Sequence, residues 1–190
     1  VATAELISIL GATPVFVDVY ESTYNIDCDK LEIEINKVIK EGKLKPKAII
    51  PVDLFGLPAR YRLIDKIAKK YNLKVIEDAA QSFGGSIRDK KVGTFGDIAA
   101  TSFYPAKPLG CYGDGGAIFT NDDSLAEECK AIRIHGTKED KYNSEMIGLN
   151  GRLDSIQAAV LLEKLSIFDD ELEMRNKVNS YYRKHLNLSL

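Results

Sequence analysis

Lys107 is the only basic side chain between Lys91 and Lys130, in a chain where Lys and Arg make up 26 of 190 residues. At the average density about five would stand there. Its setting, Thr101-Ser102-Phe103-Tyr104-Pro105-Ala106-Lys107-Pro108-Leu109-Gly110, is apolar, aromatic and stiffened by two prolines. A lysine in such a place loses hydration, which favours the neutral amine over the ammonium. A neutral amine is a nucleophile that condenses with a carbonyl to give a Schiff base. The plain alternative is a surface lysine in a turn. A second reactive candidate, Asp78, closes the run Lys74-Val75-Ile76-Glu77-Asp78 and is followed by Ala79, Ala80 and Gln81. An acid there is either a turn-capping residue or a functional carboxylate.

The elements that must position these two residues alternate along the first half of the chain. Val15–Val19 reads as a short strand after the breakers Gly11 and Pro14. Leu31, Ile35, Val38 and Ile39 share one helical face that ends near Gly42. Ala48–Val52 reads as a buried strand, Leu63 to Tyr71 as a helix, and Lys74–Asp78 as the next strand. Helices between strands imply parallel pairing with right-handed crossovers, hence a layered α/β domain. From Gly84 to Asn121 glycines and aromatics dominate, with strands expected at Asp97–Phe103 and Gly116–Thr120. A helix follows with Leu125, Cys129 and Ile132 inward. Leu153–Phe168 is a long helix whose Ala158-Ala159-Val160-Leu161-Leu162 run exceeds one stripe. Such a helix is expected to be covered on more than one side, by the core or by a second subunit. Glu171 to Leu186 reads as a helix leaving toward a further domain.

Composition narrows the function classes. A net charge of −2 with interspersed signs carries no nucleic-acid or membrane footprint. Cys28, Cys111 and Cys129 lack C-x-x-C spacing, which favours reduced thiols in a cytoplasmic protein. His135 and His185 are too few and too far apart for a metal cluster, so no metal is expected. The chain starts without Met, in what reads as the middle of a helix, and His185–Leu190 ends inside another helical pattern. A piece of a longer enzyme is therefore expected.

In open parallel sheets ligands bind beyond the carboxyl ends of the strands, which is where Asp78 stands. An acid and a Schiff-base lysine on one α/β scaffold suggest pyridoxal phosphate, whose ring nitrogen needs an acidic partner. An ion pair at about 4 Å is worth on the order of 4 kcal/mol at an effective dielectric near 20, enough to keep that nitrogen protonated.

Three motifs, in order, carry a family resemblance. Val75-Ile76-Glu77-Asp78-Ala79-Ala80-Gln81-Ser82-Phe83-Gly84 resembles the acidic motif of the nucleotide-sugar aminotransferases, DegT/StrS-type members of the fold-type I pyridoxal-phosphate enzymes. Ser102 to Gly110, followed by Gly113-Asp114-Gly115-Gly116-Ala117, resembles their lysine motif. Gly148-Leu149-Asn150-Gly151-Arg152-Leu153-Asp154 through Gln157-Ala158-Ala159 resembles a third.

The resemblance implies a three-layer α/β/α large domain of the aspartate aminotransferase type with a mostly parallel central sheet. Residues 1–170 would form part of this cofactor-binding domain, and 171–190 the helix leading to a small domain. It implies that Lys107 binds the cofactor covalently and then moves the substrate proton, and that Asp78 pairs with the pyridine nitrogen. Gln81 would lie against the ring or its hydroxyl, and Ser102 would bond the phosphate. Asn150 would reach the cofactor phosphate of a partner subunit, making the enzyme a homodimer with shared sites. Arg152 would lie near the substrate pocket and meet a carboxylate or phosphate. The implied reaction moves an amino group from glutamate to a keto carbon of a nucleotide-linked sugar. The phrase from Lys107 to Gly116 resembles most the branch acting on UDP-linked keto-N-acetylhexosaminuronates, which serves bacterial surface-polysaccharide and O-antigen synthesis.

Each residue has a structural alternative: Ser102 as a strand hydroxyl satisfied by backbone, Asn150 as a left-handed turn residue between glycines, Arg152 as a solvated helix-start charge. At the level of the chain the rivals are a sugar dehydratase, against which Lys107 argues because that branch carries histidine there, and a non-catalytic relative serving as a binding or regulatory subunit. A nicotinamide-binding domain is disfavoured by the missing glycine fingerprint.

Overall fold

The computed structural model describes residues 1–138 and 142–186. Residues 187–190, the end of the helix expected from 171, lie outside the described residues. The order of elements is α1 (Ala2–Ile9), α2 (Cys28–Glu41), β1 (Ala48–Ile49), α3 (Tyr61–Tyr71), β2 (Lys74–Asp78), β3 (Ser86–Ile87), β4 (Lys90–Lys91), β5 (Ile98–Ser102), β6 (Gly116–Phe119), α4 (Asp123–Arg133), α5 (Ser155–Ser166) and α6 (Phe168–His185). A single 3-10 turn, Leu54–Gly56, follows β1.

The main sheet has the order β1-β2-β5-β6. Strands β1, β2 and β5 run parallel, with Ile49 opposite Val75 and Asp78 opposite Ala100. Strand β6 returns antiparallel, with Ser102 opposite Gly116. The expected mostly parallel α/β sheet is therefore present. It is short at β1 because Pro51 has no N–H to give the ladder, although Val52 still bridges to Asp78.

Local chemistry sets the helix ends. The Asp27 carboxylate accepts from the amides of Asp29 and Lys30 at the start of α2, and Gly42 closes that helix at φ 68°. Asp122 caps α4 in the same way through the amides of Ser124 and Leu125. One core joins Cys28, Leu31 and Ile35 of α2 to Tyr61, Ile64 and Ile67 of α3 and to Ile49 and Val75 of the sheet. A second gathers Phe103, Leu109 and Cys111, beyond the carboxyl end of β5, against Leu161 of α5 and Phe168 of α6. Glu77 is fully buried on β2 and accepts from the amides of Gly93 and Phe95 at 2.6 and 3.0 Å, tying the β4–β5 connection to the strand.

Four expectations need correction. Val15–Val19 is not a strand: only Val19 pairs, with Ile26, and Val15 and Phe16 are exposed with no ladder neighbour. Ile39 turns outward on α2, leaving Leu31 and Ile35 as its buried apolar face. Asn150 is not a left-handed turn residue but sits in an antiparallel bridge with Ile134. Ile132, expected on the inner face of α4, is exposed. On α5 Leu161 is buried against this chain's core, while Ile156, Leu162 and Leu165 face outward. No helix among the described residues is long and apolar enough to cross a membrane.

Candidate active site

Asp78 ends β2, and its strand neighbour β5 ends at Ser102, two residues past the Ala100 that lies opposite Asp78. Both side chains are half-buried. The parallel pairing thus brings the first acid and the candidate phosphate-binding hydroxyl to the same edge of the sheet, about one strand spacing apart laterally. The Asp78 carboxylate accepts from the Ala80 amide at 3.2 Å through Oδ1 and from the Thr3 hydroxyl at 2.7 Å through Oδ2. Each oxygen keeps a further lone pair for another donor. Ser102 Oγ accepts from the Tyr104 amide at 3.2 Å and keeps its own O–H to donate.

Lys107 follows on the loop between β5 and β6. It lines an open cavity of about 930 Å³ together with Gln81, Phe55, Gly56, Tyr104 and Arg175. That volume lies within the range of small-molecule and cofactor sites. Lys107 is half-buried there, so the dehydration expected from its neighbours is incomplete: Tyr104, Pro105 and Ala106 are themselves exposed along the open side. Asp78 and Ser102 are not part of the cavity wall; Gln81, three residues after Asp78, and Tyr104, two after Ser102, are.

The lysine loop is fixed from several directions. The Lys107 amide donates to the Tyr104 carbonyl at 2.8 Å, and the Cys111 amide to that of Phe103 at 2.8 Å. Lys164 of α5 donates to the Gly110 carbonyl at 2.6 Å, and Arg175 of α6 to that of Pro108 at 3.3 Å. Gln157 accepts from the Tyr112 amide at 2.8 Å. Gly110 is required by close approach, since a Cβ would lie 2.5 Å from the Pro105 carbonyl oxygen and 2.8 Å from that of Tyr104. Gly110→Ala must therefore open the turn that carries Lys107. The expected cost is about 1–3 kcal/mol in denaturant unfolding, together with faster loss of bound cofactor on dialysis.

Gln81 accepts from the Phe55 amide at 2.9 Å through Oε1, leaving its NH2 group to donate. Phe55 holds φ 57°, a left-handed conformation that is strained for an aromatic residue, beside Gly56 at φ 83°. Asp53 anchors this pair of loops. It is fully buried, accepts from the Ala59 amide and the Tyr61 hydroxyl through Oδ1, and accepts from the Ser82 hydroxyl through Oδ2. Burial pushes its carboxyl above the usual range, against the lowering effect of those three donors.

Asn150 and Arg152 lie elsewhere. Both are exposed, Arg152 Nε donates to Asn150 Oδ1 at 2.9 Å, and neither lines the Lys107 cavity. Sequence reasoning missed Thr3, Phe55, Gly56 and Arg175. The signal available for Phe55 and Gly56 was the segment Leu54-Phe55-Gly56-Leu57-Pro58 directly after a parallel strand, where ligand-binding loops fall. Among the described residues, no three His, Cys, Asp or Glu side chains stand together as a metal-binding set.

The model of the DegT/DnrJ/EryC1/StrS aminotransferase family matches residues 1–188. The chain belongs to this family. Among its relatives, the UDP-2-acetamido-2-deoxy-3-oxo-D-glucuronate aminotransferase of Pseudomonas aeruginosa is 50% identical over 182 residues, covering 96% of this chain and 48% of the relative. A crystal structure of a DegT/DnrJ/EryC1/StrS aminotransferase from Brucella abortus superposes with a TM-score of 0.94 at 56% identity, over 96% of this chain and 49% of that one. NtdA from Bacillus subtilis, with the cofactor PMP bound, superposes with a TM-score of 0.75 at 34% identity, over 88% of this chain and 36% of that one. The fold is thus that of the pyridoxal-phosphate-dependent aminotransferases, and the chain spans about half the length of the curated relatives it matches.

The residues present suit the cofactor of this family. The half-buried Asp78 carboxylate keeps lone pairs for a pyridinium N–H, the Ser102 hydroxyl keeps a proton for a phosphate oxygen, and Lys107 lines the cavity.

Proposed function

We propose that this chain carries the reactive lysine and the ring-nitrogen acid of a pyridoxal-phosphate-dependent nucleotide-sugar aminotransferase. The observations that support the reading are Lys107 and Gln81 in one cavity, and Asp78 and Ser102 at the ends of adjoining parallel strands, three and two residues before the cavity-lining Gln81 and Tyr104. Pyridoxal phosphate, when bound, supplies an electron-accepting ring that stabilises negative charge on the carbon losing a proton. The residues do the rest. Lys107 holds the cofactor through its amine and, once displaced by the incoming amine, takes and returns that proton. Asp78 keeps the ring nitrogen protonated, Gln81 donates its NH2 to the ring side, and Ser102 donates to the phosphate.

The amino donor in this reading is glutamate and the acceptor a UDP-linked 3-keto-N-acetylhexosaminuronate, the substrate class named for the Pseudomonas aeruginosa relative. The setting is cytoplasmic synthesis of surface polysaccharide, including O-antigen. Residues 1–170 belong to the cofactor-binding domain, and α6 leads from it toward a small domain. The enzyme acts as a homodimer in which Asn150 and Arg152 serve the partner subunit's cofactor and the substrate. Their exposure and their absence from the lining of this chain's own cavity suit that role, as does the outward apolar side of α5.

The test is spectroscopic. Full-length protein loaded with pyridoxal phosphate is expected to show a visible absorption band that borohydride abolishes, and peptide mapping should then find the label on Lys107. Glutamate added before reduction should bleach the band. A band that survives borohydride, or a label on another lysine, rules the assignment out.

A further inference from the structure

The Asp78 carboxylate has a partner from far along the chain. Thr3, in the first turn of α1, donates its hydroxyl proton to Asp78 Oδ2 at 2.7 Å across 75 residues of sequence. The other oxygen is held at 3.2 Å by the Ala80 amide within its own turn. Helix α1 buries none of its residues, so no packing of that helix demands a threonine at this position. A short hydroxyl-to-carboxylate bond removes one rotational freedom from the side chain.

We propose that Thr3 is a positioning residue for Asp78, holding the carboxylate turned toward the cofactor's ring nitrogen. The inference rests on the reading of Asp78 given under Proposed function. With Oδ2 engaged by Thr3 and Oδ1 by Ala80, the carboxylate is fixed at both oxygens, and its remaining lone pairs point in set directions. A carboxylate held in that direction keeps a straight N–H···O bond to the ring nitrogen, and the paired opposite charge favours its protonated form. Loss of the Thr3 hydroxyl therefore frees the side chain to rotate and weakens the pairing that keeps the ring nitrogen protonated.

The experiment uses full-length holoenzyme reconstituted with pyridoxal phosphate labelled with ¹⁵N in the ring, comparing wild type, Thr3→Val and Thr3→Ser. Wild type should give the ring ¹⁵N shift of a protonated pyridinium. Thr3→Val should move the signal toward the unprotonated position and weaken cofactor binding about tenfold, the effect of losing one charge-assisted hydrogen bond. Thr3→Ser, which keeps the hydroxyl, should restore both. If Val prevents folding, Thr3→Ala takes its place in the comparison. An unchanged ¹⁵N shift in the hydroxyl-free variant overturns the proposal, and so does an equal change in Thr3→Ser. A purely structural bond between α1 and the sheet would alter the melting temperature and leave the ring signal where it was. Failure of the underlying reading looks different, because wild type itself would then lack the pyridinium signal that Asp78→Asn should remove.

Discussion

Lys107→Ala should reduce amino transfer in the cofactor-loaded protein by on the order of 10⁴-fold or more, because it deletes both the covalent tether and the proton carrier. The fold should barely register the change. Among the described residues no hydrogen bond or ion pair reaches the Lys107 amine, and the loop around it is held by Lys164, Gln157 and Arg175 instead. Stability is expected to stay within about 0.5 kcal/mol of wild type. The cofactor should still bind, more weakly, through Asp78 and Ser102. Lys107→Arg separates charge from nucleophilicity: it keeps a cation but no amine able to condense at neutral pH, so it should be as inactive as the alanine variant. Small primary amines in the medium should restore part of the Lys107→Ala rate and none of the Lys107→Arg rate, since only the alanine variant leaves space for them. Rapid-mixing absorbance with glutamate measures the first half-reaction alone. A Lys107→Ala protein retaining more than about a tenth of the wild-type rate would move the catalytic assignment to another residue.

How much of this was legible depended on whether a residue's role is local. Strand β2 was read at its observed limits, Lys74–Asp78, as the run following a helical pattern, and the end of α2 was marked by its closing glycine, Gly42. Lys107 stood out because its neighbours were unusual for a lysine, and Asp78 because a strand had to end there. The failures have a common physical origin in long-range pairing. Val15–Val19 has the composition of a strand, but a strand exists only where a neighbour offers its backbone, and only Val19 finds one. Lys107 shares its cavity with Leu172 and Arg175 of α6, which no window around residue 107 contains. Thr3 looks like any helix-start threonine until the sheet brings Asp78 to it. Asp53 was passed over for the same reason: it reads as a turn acid after a strand, and its three donors come from residues 59, 61 and 82.

Asp53 is the place where removing a single side chain should hurt the site most without touching a reacting group. Asp53→Ala leaves the Ala59 amide and the Tyr61 and Ser82 hydroxyls without their acceptor. Tyr61 and Ser82 are buried, at 5% and 2% exposure, so water is poorly placed to replace it. Unsatisfied buried donors cost about 1–3 kcal/mol each before relaxation, so a total loss of about 3 kcal/mol in urea unfolding is expected. Because Asp53 joins the loop carrying Phe55 to the turn carrying Gln81, cofactor affinity should fall with it. Asp53→Asn is the informative companion. Its carbonyl oxygen can still accept from Ala59 and Tyr61, and its NH2 group can donate to a Ser82 hydroxyl that rotates to accept, so the expected cost is about 1 kcal/mol. The two proteins should diverge with pH. Burial holds the Asp53 carboxyl above its ordinary range in the folded chain, so folded molecules retain a proton that unfolded ones release near pH 4. That contribution is complete below the unfolded pKa and is lost as pH rises through the raised folded one. Wild type should therefore lose stability relative to Asp53→Asn as pH increases from about 4 toward neutrality, with the gap between their unfolding free energies narrowing. Parallel stability profiles for the two proteins over that window would show that Asp53 is ionised in the fold and that its three donors, rather than its burial, decide its charge.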